Sequence, residues 1–468
     1  MARRFDFDPA SYPRLKAEPM HGASETFGVL KLEEAPPGDT ASNLDIEHGI
    51  VLGTIRMGFG HYRIGLAIAS AARSMGLTPY WLDLMSFPDS AASKTITYLE
   101  DLYNLGSRLS QRSKLFDRFV WDKVTANAAK RLSYTARDRA LASIFEPILR
   151  DLPKNIPFMS THPWTGQAAV RAGMDSIVAL IPDNYPLAFH LVEGAVHAVQ
   201  APSLYMGYRT LRDMGGGEEL FRALPKHDIS YVGHYVDHEI VSNIETDCAA
   251  RLRRIKNKET RRFLLTMGGA GAQARRFADI AHYCKSALES GKVSLLINMG
   301  DHKGRWAELR TWLEEDGIPF TLHQNWEATE SFTEEIRSGP VKGVHVFLHD
   351  SFFAAVYTTN ILMRVVDLMI TKPSELSFYP VPKLFIQHVG QHEVWGAIRG
   401  SELGDGTIET QSDASMRQAL RLLIEEDDLI DMYCASILKN ARAGIYDGAY
   451  GAVHLALERR AEAAQTRA

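Results

Sequence analysis

Residues 49–75 read GIVLGTIRMGFGHYRIGLAIASAARSM, and this stretch decides the fold. It opens with a short apolar, β-branched run (Ile50, Val51, Leu52), passes a glycine-rich turn (Met57-Gly58-Phe59-Gly60) and reaches His61. Beyond the turn Ile64, Ala67, Ile68, Ala71, Ala72 and Met75 recur at the spacing of one helix face. Strand, tight loop and amphipathic helix in that order form the opening unit of a nucleotide-binding α/β domain. Glycines let the backbone approach a ligand, and the helix N-terminus behind them favours anionic groups. His61 sits at the mouth of the loop, where an imidazole can act as a base near neutral pH.

The pattern restarts about a domain's length later. Arg262 to Met267 reads as a strand, Gly268-Gly269-Ala270-Gly271 as a glycine turn, and Phe277, Ile280, Ala281, Cys284 and Leu288 as a helical stripe. Two such units predict two similar α/β domains in tandem. Residues 1–45, rich in Pro, Glu, Asp and Ser, read as an extension with at most one added strand. Residues 46–241 form the first domain, polar residues 242–261 a linker, 262–415 the second domain, and 416–468 terminal helices that cross back to the first domain. Helices are expected at 416–441 and 449–463.

At 468 residues the chain is too long for one core, and with 45% hydrophobic and 23% charged residues its composition is globular. The formal charge is 52 − 57 = −5, which gives no reason to expect nucleic-acid binding. Three separated cysteines build neither a disulfide framework nor a paired-cysteine metal site, so a reducing cytoplasm is the expectation. The N-terminus lacks the apolar run of a signal peptide, and no stretch reaches spanning length, so any membrane contact is expected to be peripheral.

Further candidates lie where parallel strands meet polar loops. Asp83 closes the strand 79–84. His162 follows the strand 157–161, and Asp183 follows the strand 176–181. Either aspartate can serve as the carboxylate that fixes the His61 tautomer, and Asp183 equally suits a turn. His162, His190, His197 and His234-x-x-x-His238 lack a third ligand at matched spacing, so no metal site is expected. Between Arg108 and Arg139 nine Lys/Arg outnumber three Asp, with Phe116, Phe119, Trp121 and Tyr134 interleaved. That segment reads either as a solvated helical face or as a surface for anionic lipid.

Four segments carry a resemblance. They are Gly58-Phe59-Gly60-His61; Thr161-His162-Pro163 with Ile181-Pro182-Asp183; Leu265 to Gly271; and Asn360 to Met363 with Asp367-Leu368-Met369-Ile370-Thr371-Lys372-Pro373, followed by Val389-Gly390-Gln391-His392-Glu393. From about Ile50 to Gly406 the chain resembles the GT-B glycosyltransferases of family 28. These are the monogalactosyldiacylglycerol synthases, the processive diacylglycerol glucosyltransferases and the lipid II-forming N-acetylglucosaminyltransferase.

The resemblance implies two Rossmann-like domains facing across a cleft, and transfer of sugar from a nucleotide donor, UDP-linked, to a lipid-linked or membrane-surface acceptor. It implies no cofactor beyond the donor itself and no metal. Gly58, Phe59, Gly60 and His162 would lie on the acceptor side, with His61, Asp183 and Asp83 as catalytic candidates. Gly268, Gly269, Ala270, Gly271, Phe347, Lys372, Pro373, Glu375, Gln391 and Glu393 would hold the donor. Successive backbone N–H groups of the second loop can hold a diphosphate without a metal. One departure stands out: after Lys372-Pro373 the family's short helix is reduced, and Glu375 is the shifted counterpart of its ribose-binding glutamate. Two alternatives keep the fold, a nucleotide-sugar 2-epimerase and a non-catalytic nucleotide-sugar-binding protein.

Overall fold

The computed structural model describes residues 4–5, 7–8, 10–20, 22–36, 44–56, 58–99, 101, 136–210, 223–269, 271, 273–388 and 390–467. The chain divides into two compact units, Met1–His238 with Asp447–Ala468, and Glu239–Tyr446.

Unit 1 is built on an eight-stranded sheet in the order β1-β2-β4-β3-β5-β6-β7-β8. Its strands are β1 (Leu15–Pro19), β2 (Leu30–Glu34), β3 (Gly49–Thr54), β4 (Thr78–Asp83), β5 (Phe158–Ser160), β6 (Ile177–Leu180), β7 (Val196–Val199) and β8 (Ile229–Tyr231). Every neighbouring pair is parallel except β1 with β2. All six residues of β3 are buried, as its unbroken apolar run requires of a central parallel strand covered on both faces. Helix α1 (Phe59–Ser74) follows β3 and packs on β3 and β4. Gly65 makes that packing close: a Cβ there would lie 2.7 Å from the Trp81 ring. The extension before residue 46 supplies two strands rather than one. β1 and β2 pair antiparallel, and β2 joins β4, so Leu15, Ala17 and Leu32 enter the core.

Unit 2 is a six-stranded, wholly parallel sheet in the order β11-β12-β10-β9-β13-β14. The strands are β9 (Arg261–Thr266), β10 (Val293–Asn298), β11 (Phe320–His323), β12 (Gly343–Phe347), β13 (Leu368–Thr371) and β14 (Lys383–Phe385). The two Rossmann-like parallel sheets agree with the fold class read from the sequence.

Two boundaries differ from the sequence reading. The polar stretch 242–261, expected to link the domains, contains helix α2 (Ile244–Lys256), which belongs to unit 2. Three of its charged side chains, Asp247, Arg251 and Arg254, are buried, and both arginines find partners within unit 2. Arg251 donates to the carbonyls of Val366 (2.9 Å) and Met363 (2.8 Å), and Arg254 donates to Asp367 at 2.8 Å. The terminal helices also differ: the run expected at 416–441 is two helices, Asp413–Glu425 and α3 (Asp428–Arg442). The break falls at Asp427, whose carboxylate takes Lys258 and Arg261. The last helix, α4 (Gly448–Arg467), packs on α1 and β6 of unit 1, and the carbonyl of Ala456 accepts from Ser176 Oγ at 2.8 Å.

Both sheets have one point where consecutive connections leave in opposite directions. In unit 1 it lies between β3 and β5, and in unit 2 between β9 and β13. Sheets of this kind bind ligands outside the carboxyl ends of the strands at such a point. Among the described residues no helix is long and apolar enough to cross a membrane.

Candidate functional site

In unit 1 the switch point collects imidazoles. Gly58 caps α1 with φ 75° and ψ 174°, a backbone region essentially restricted to glycine, and a Cβ there would meet nothing within 4 Å. Phe59 is buried under the first turn, and Gly60 and His61 complete that turn. His61 Nδ1 lies 2.6 Å from the carbonyl oxygen of Thr161. A carbonyl only accepts, so Nδ1 carries a proton, and in the neutral ring Nε2 is the nitrogen with the lone pair. Thr161 is itself pinned to β3: its N–H donates to Gly53 O at 3.0 Å, and its Oγ1 donates to Thr54 Oγ1 at 3.1 Å.

The group that fixes His61 is therefore a backbone carbonyl, where the sequence reading expected Asp83 or Asp183. Asp83 is buried. It accepts from the Tyr62 hydroxyl and from Met85 N at 2.9 Å, with Arg56 at 3.8 Å, and so caps the turn after β4. Burial pushes its carboxyl above the ordinary range. Asp183 faces His190, with Oδ2 3.8 Å from Nε2. His162 caps the helix Pro163–Arg171: its Nδ1 accepts from Trp164 N at 3.2 Å, which leaves the proton on Nε2. Its ring meets those of His61 (4.8 Å) and Trp164 (4.8 Å) edge-on. Burial, and then the neighbouring imidazoles of His61 and His190, hold it well below the usual histidine range.

In unit 2 the switch point carries charge. Met267 N donates to Asn298 O at 2.9 Å, and Gly271 N donates back to Gly268 O at 2.9 Å, closing the glycine turn. Gly271 is left-handed (φ 65°). A Cβ on Gly268 would stand 2.8 Å from Lys372 Cε, so the lysine from the end of β13 lies directly on the turn from the end of β9. Beneath them Thr266 Oγ1 donates to Thr371 Oγ1 at 2.9 Å. The Lys372 ammonium pairs with Glu393, whose other oxygen accepts from Gly390 N at 3.2 Å. The helix behind the turn, Ala274–Glu289, has no side-chain cap and no acidic residue in its first turn, where Arg275 and Arg276 stand instead.

The other donor-side candidates spread out. Pro373 is buried, and the reduced helix after it is a single 3₁₀ turn, Glu375–Phe378, with Glu375 half-buried at its start. Gln391 opens the 3₁₀ turn Gln391–Glu393. The Gln391 side chain, Ala270, Met57 and most of the basic segment 108–139 lie outside the described residues. Phe347 corrects an expectation. It is fully buried, stacked on His323 at 4.8 Å, and its carbonyl accepts from Met299 N at 2.9 Å, so both ring and carbonyl belong to the core.

The sequence reading missed two groups. One is the Thr161 carbonyl, which no side-chain pattern reveals. The other is His302, whose Nε2 donates to Gly268 O at 3.1 Å. Its position just past the end of β10 was the available signal.

Two doubly wound sheets, parallel throughout except for β1 with β2, each with polar groups gathered at its switch point, define a tandem α/β protein. The chain belongs to the family described as Domain of unknown function (DUF6938), which matches residues 224–457, while residues 1–210 match Domain of unknown function (DUF6937). No match was found among curated proteins. Among solved structures the chain is similar to UDP-GlcNAc 2-epimerase from Neisseria meningitidis bound to UDP-GlcNAc, at 10% identity over 88% of this chain and 100% of that one, TM-score 0.46. It is also similar to a glycosyltransferase from Rickettsia africae, at 10% identity over 89% and 99%, TM-score 0.43. A third likeness is to α,α-trehalose 6-phosphate synthase from Burkholderia multivorans, at 11% identity over 72% and 79%, TM-score 0.39.

Proposed function

We propose that the chain is a GT-B-type glycosyltransferase that takes a sugar from a nucleotide diphosphate donor and passes it to a lipid-linked acceptor. The observation that carries this reading is the contact of Lys372 with Gly268 at the unit 2 switch point. A glycine turn, an uncapped helix start and a lysine against the turn are the elements of a metal-free diphosphate site. Lys372 would exchange Glu393 for phosphate oxygens. In transfer, the acceptor hydroxyl oxygen bonds to the anomeric carbon and its proton passes to His61 Nε2. The bond from that carbon to the phosphate oxygen breaks, with the electron pair leaving on the diphosphate. Backbone N–H groups and Lys372 then stabilise the charge that develops there. The lipid nature of the acceptor rests on the resemblance and on the basic aromatic composition of residues 108–139.

Calorimetric titration with UDP and a panel of UDP-sugars tests the reading. Lys372→Gln is expected to weaken UDP binding by about tenfold or more, the value of one charged hydrogen bond. Unchanged affinity would remove the diphosphate site. UDP binding without transfer to any lipid acceptor would leave the non-catalytic alternative.

A further inference from the structure

Unit 2 holds a histidine–carboxylate pair that the proposed transfer does not use. His388 stands just past β14, on the side of the sheet where such folds bind ligands. Ile386 N donates to Thr371 O at 3.0 Å, so this chain runs beside the segment that delivers Lys372. Glu409 comes from the stretch that bridges β14, with Gly406 against Lys383 and Thr410 against Ile386. His388 Nδ1 lies 2.8 and 2.9 Å from the two carboxylate oxygens of Glu409, and His388 N donates to the nearer one at 2.8 Å. A carboxylate accepts, so Nδ1 carries a proton. The Glu409 side chain is 5% exposed and that of His388 14%, so the carboxylate fixes the ring from within. Among the described residues Nε2 has no hydrogen-bond partner and is not enclosed. Two bonds tie the flanks of His388 to the proposed diphosphate site. Gln273, at the start of the helix behind the glycine turn, donates to Gln387 O at 3.2 Å. On the other flank Gly390 N is held by Glu393, the partner of Lys372.

The pair is no phosphate clamp, because the Glu409 charge cancels any charge the ring acquires. Its Nε2 suits a hydroxyl, which donates to a neutral ring and accepts from a protonated one. A nucleotide sugar carries hydroxyls on its hexose and on its ribose. We propose that His388, held by Glu409, is a specificity-determining residue that hydrogen-bonds a hydroxyl of the nucleotide-sugar donor. This inference rests on the donor site proposed above. Glu409 is the positioning residue: it touches no ligand and fixes the ring that does.

Calorimetry on the full chain tests this with inorganic pyrophosphate, which has no sugar hydroxyl; with UDP, which adds the ribose; and with UDP-glucose, UDP-galactose and UDP-N-acetylglucosamine, which add the hexose. His388→Ala is expected to leave pyrophosphate affinity at the parental value and to weaken the sugar-bearing probes about fivefold, the value of one hydrogen bond. A loss that begins with UDP assigns the ribose, and one that begins with the UDP-sugars assigns the hexose. Glu409→Gln is expected to give a smaller loss in the same pattern. An equal loss for pyrophosphate and the sugar-bearing probes, or no loss for any probe while Lys372→Gln still weakens UDP binding, would overturn the proposal and leave the donor site standing. Unchanged UDP affinity in Lys372→Gln would instead overturn the donor site, and this proposal with it. Should His388→Ala fail to fold, carbethoxylation of the parent with diethyl pyrocarbonate decides. The His388 adduct, read by peptide mass spectrometry, is expected to be suppressed by saturating UDP-sugar and to persist under pyrophosphate. An adduct that forms equally with and without UDP-sugar would overturn the proposal.

Discussion

At the end of β3 a glycine turn leads to an imidazole whose Nδ1 is held by the Thr161 carbonyl. At the end of β9 the matching turn lies against the side chain of Lys372, whose Cε would meet a Cβ on Gly268 at 2.8 Å. The backbone plan is shared: a central strand, a glycine turn, a helix without a side-chain cap, and a neighbouring strand beyond the switch point. What differs is the residue delivered by that neighbour. β5 brings Thr161 and His162, a carbonyl and a neutral ring, whereas β13 brings a lysine with its carboxylate partner. The difference teaches that the shared turn supplies N–H groups and space, while the adjacent strand decides which chemistry is done there. A neutral imidazole with a lone pair suits proton transfer, and a lysine against a glycine turn suits an anion.

Substitution of the base should show the largest effect. His61→Ala is expected to lower glycosyl transfer by about 10²–10⁴-fold, the usual contribution of a positioned base, while UDP affinity by calorimetry stays at the parental value. A matching loss of UDP affinity would break the division between the units.

Acid comes next and concerns the neutral imidazoles of unit 1. His197 donates Nδ1–H to Asp228 O and accepts Val192 N–H at Nε2, so it folds uncharged, and burial lowers it from 6.5 to about 4. Unfolded histidine ionises near 6.5, so below that pH the unfolded chain binds the extra proton. The stability is therefore full above about pH 6.5 and falls towards pH 4, by about 3 kcal/mol from this residue. His197→Gln should flatten the fall in a denaturant series across those pH values.

The smallest effect sharpens the glycine comparison. Gly58→Ala strains a glycine-only backbone and should cost about 2 kcal/mol in thermal unfolding. Gly268→Ala, whose backbone is not left-handed, should instead spare stability and weaken UDP binding by displacing Lys372. Equal stability losses in the two variants would remove the distinction drawn here.

The sequence makes the strand–glycine–helix units legible because apolar periodicity and glycine spacing are local signals. Lys372 is legible only through the resemblance of Asp367–Pro373 to a family motif, since a lysine at a strand end carries no signal of its own. Three things are not local. Arg251 and Arg254 give 242–261 the composition of a solvated linker, yet their charges are buried on Val366, Met363 and Asp367, more than a hundred residues away. The partner of His61 is a backbone carbonyl and has no residue-type signature. Asp83 looks like a catalytic carboxylate at a strand end, but Tyr62, one helical residue after His61, engages it. The N-terminal strands were hidden by surrounding polar residues, because an antiparallel edge pair needs to bury only one side of each strand.

The return of α4 to unit 1 bears on how the chain is made. Tyr235 bridges Asp447, and Gly448 N bonds His234 O, so the first unit is finished by residues translated after all of unit 2. On the ribosome Glu239–Tyr446 is a continuous stretch that can complete itself, while the earlier-made unit waits with the faces of α1 and β6 uncovered. Unit 1 thus receives its last packing partner only after unit 2 has been made, and loss of residues 447–468 is expected to destabilise the N-terminal half.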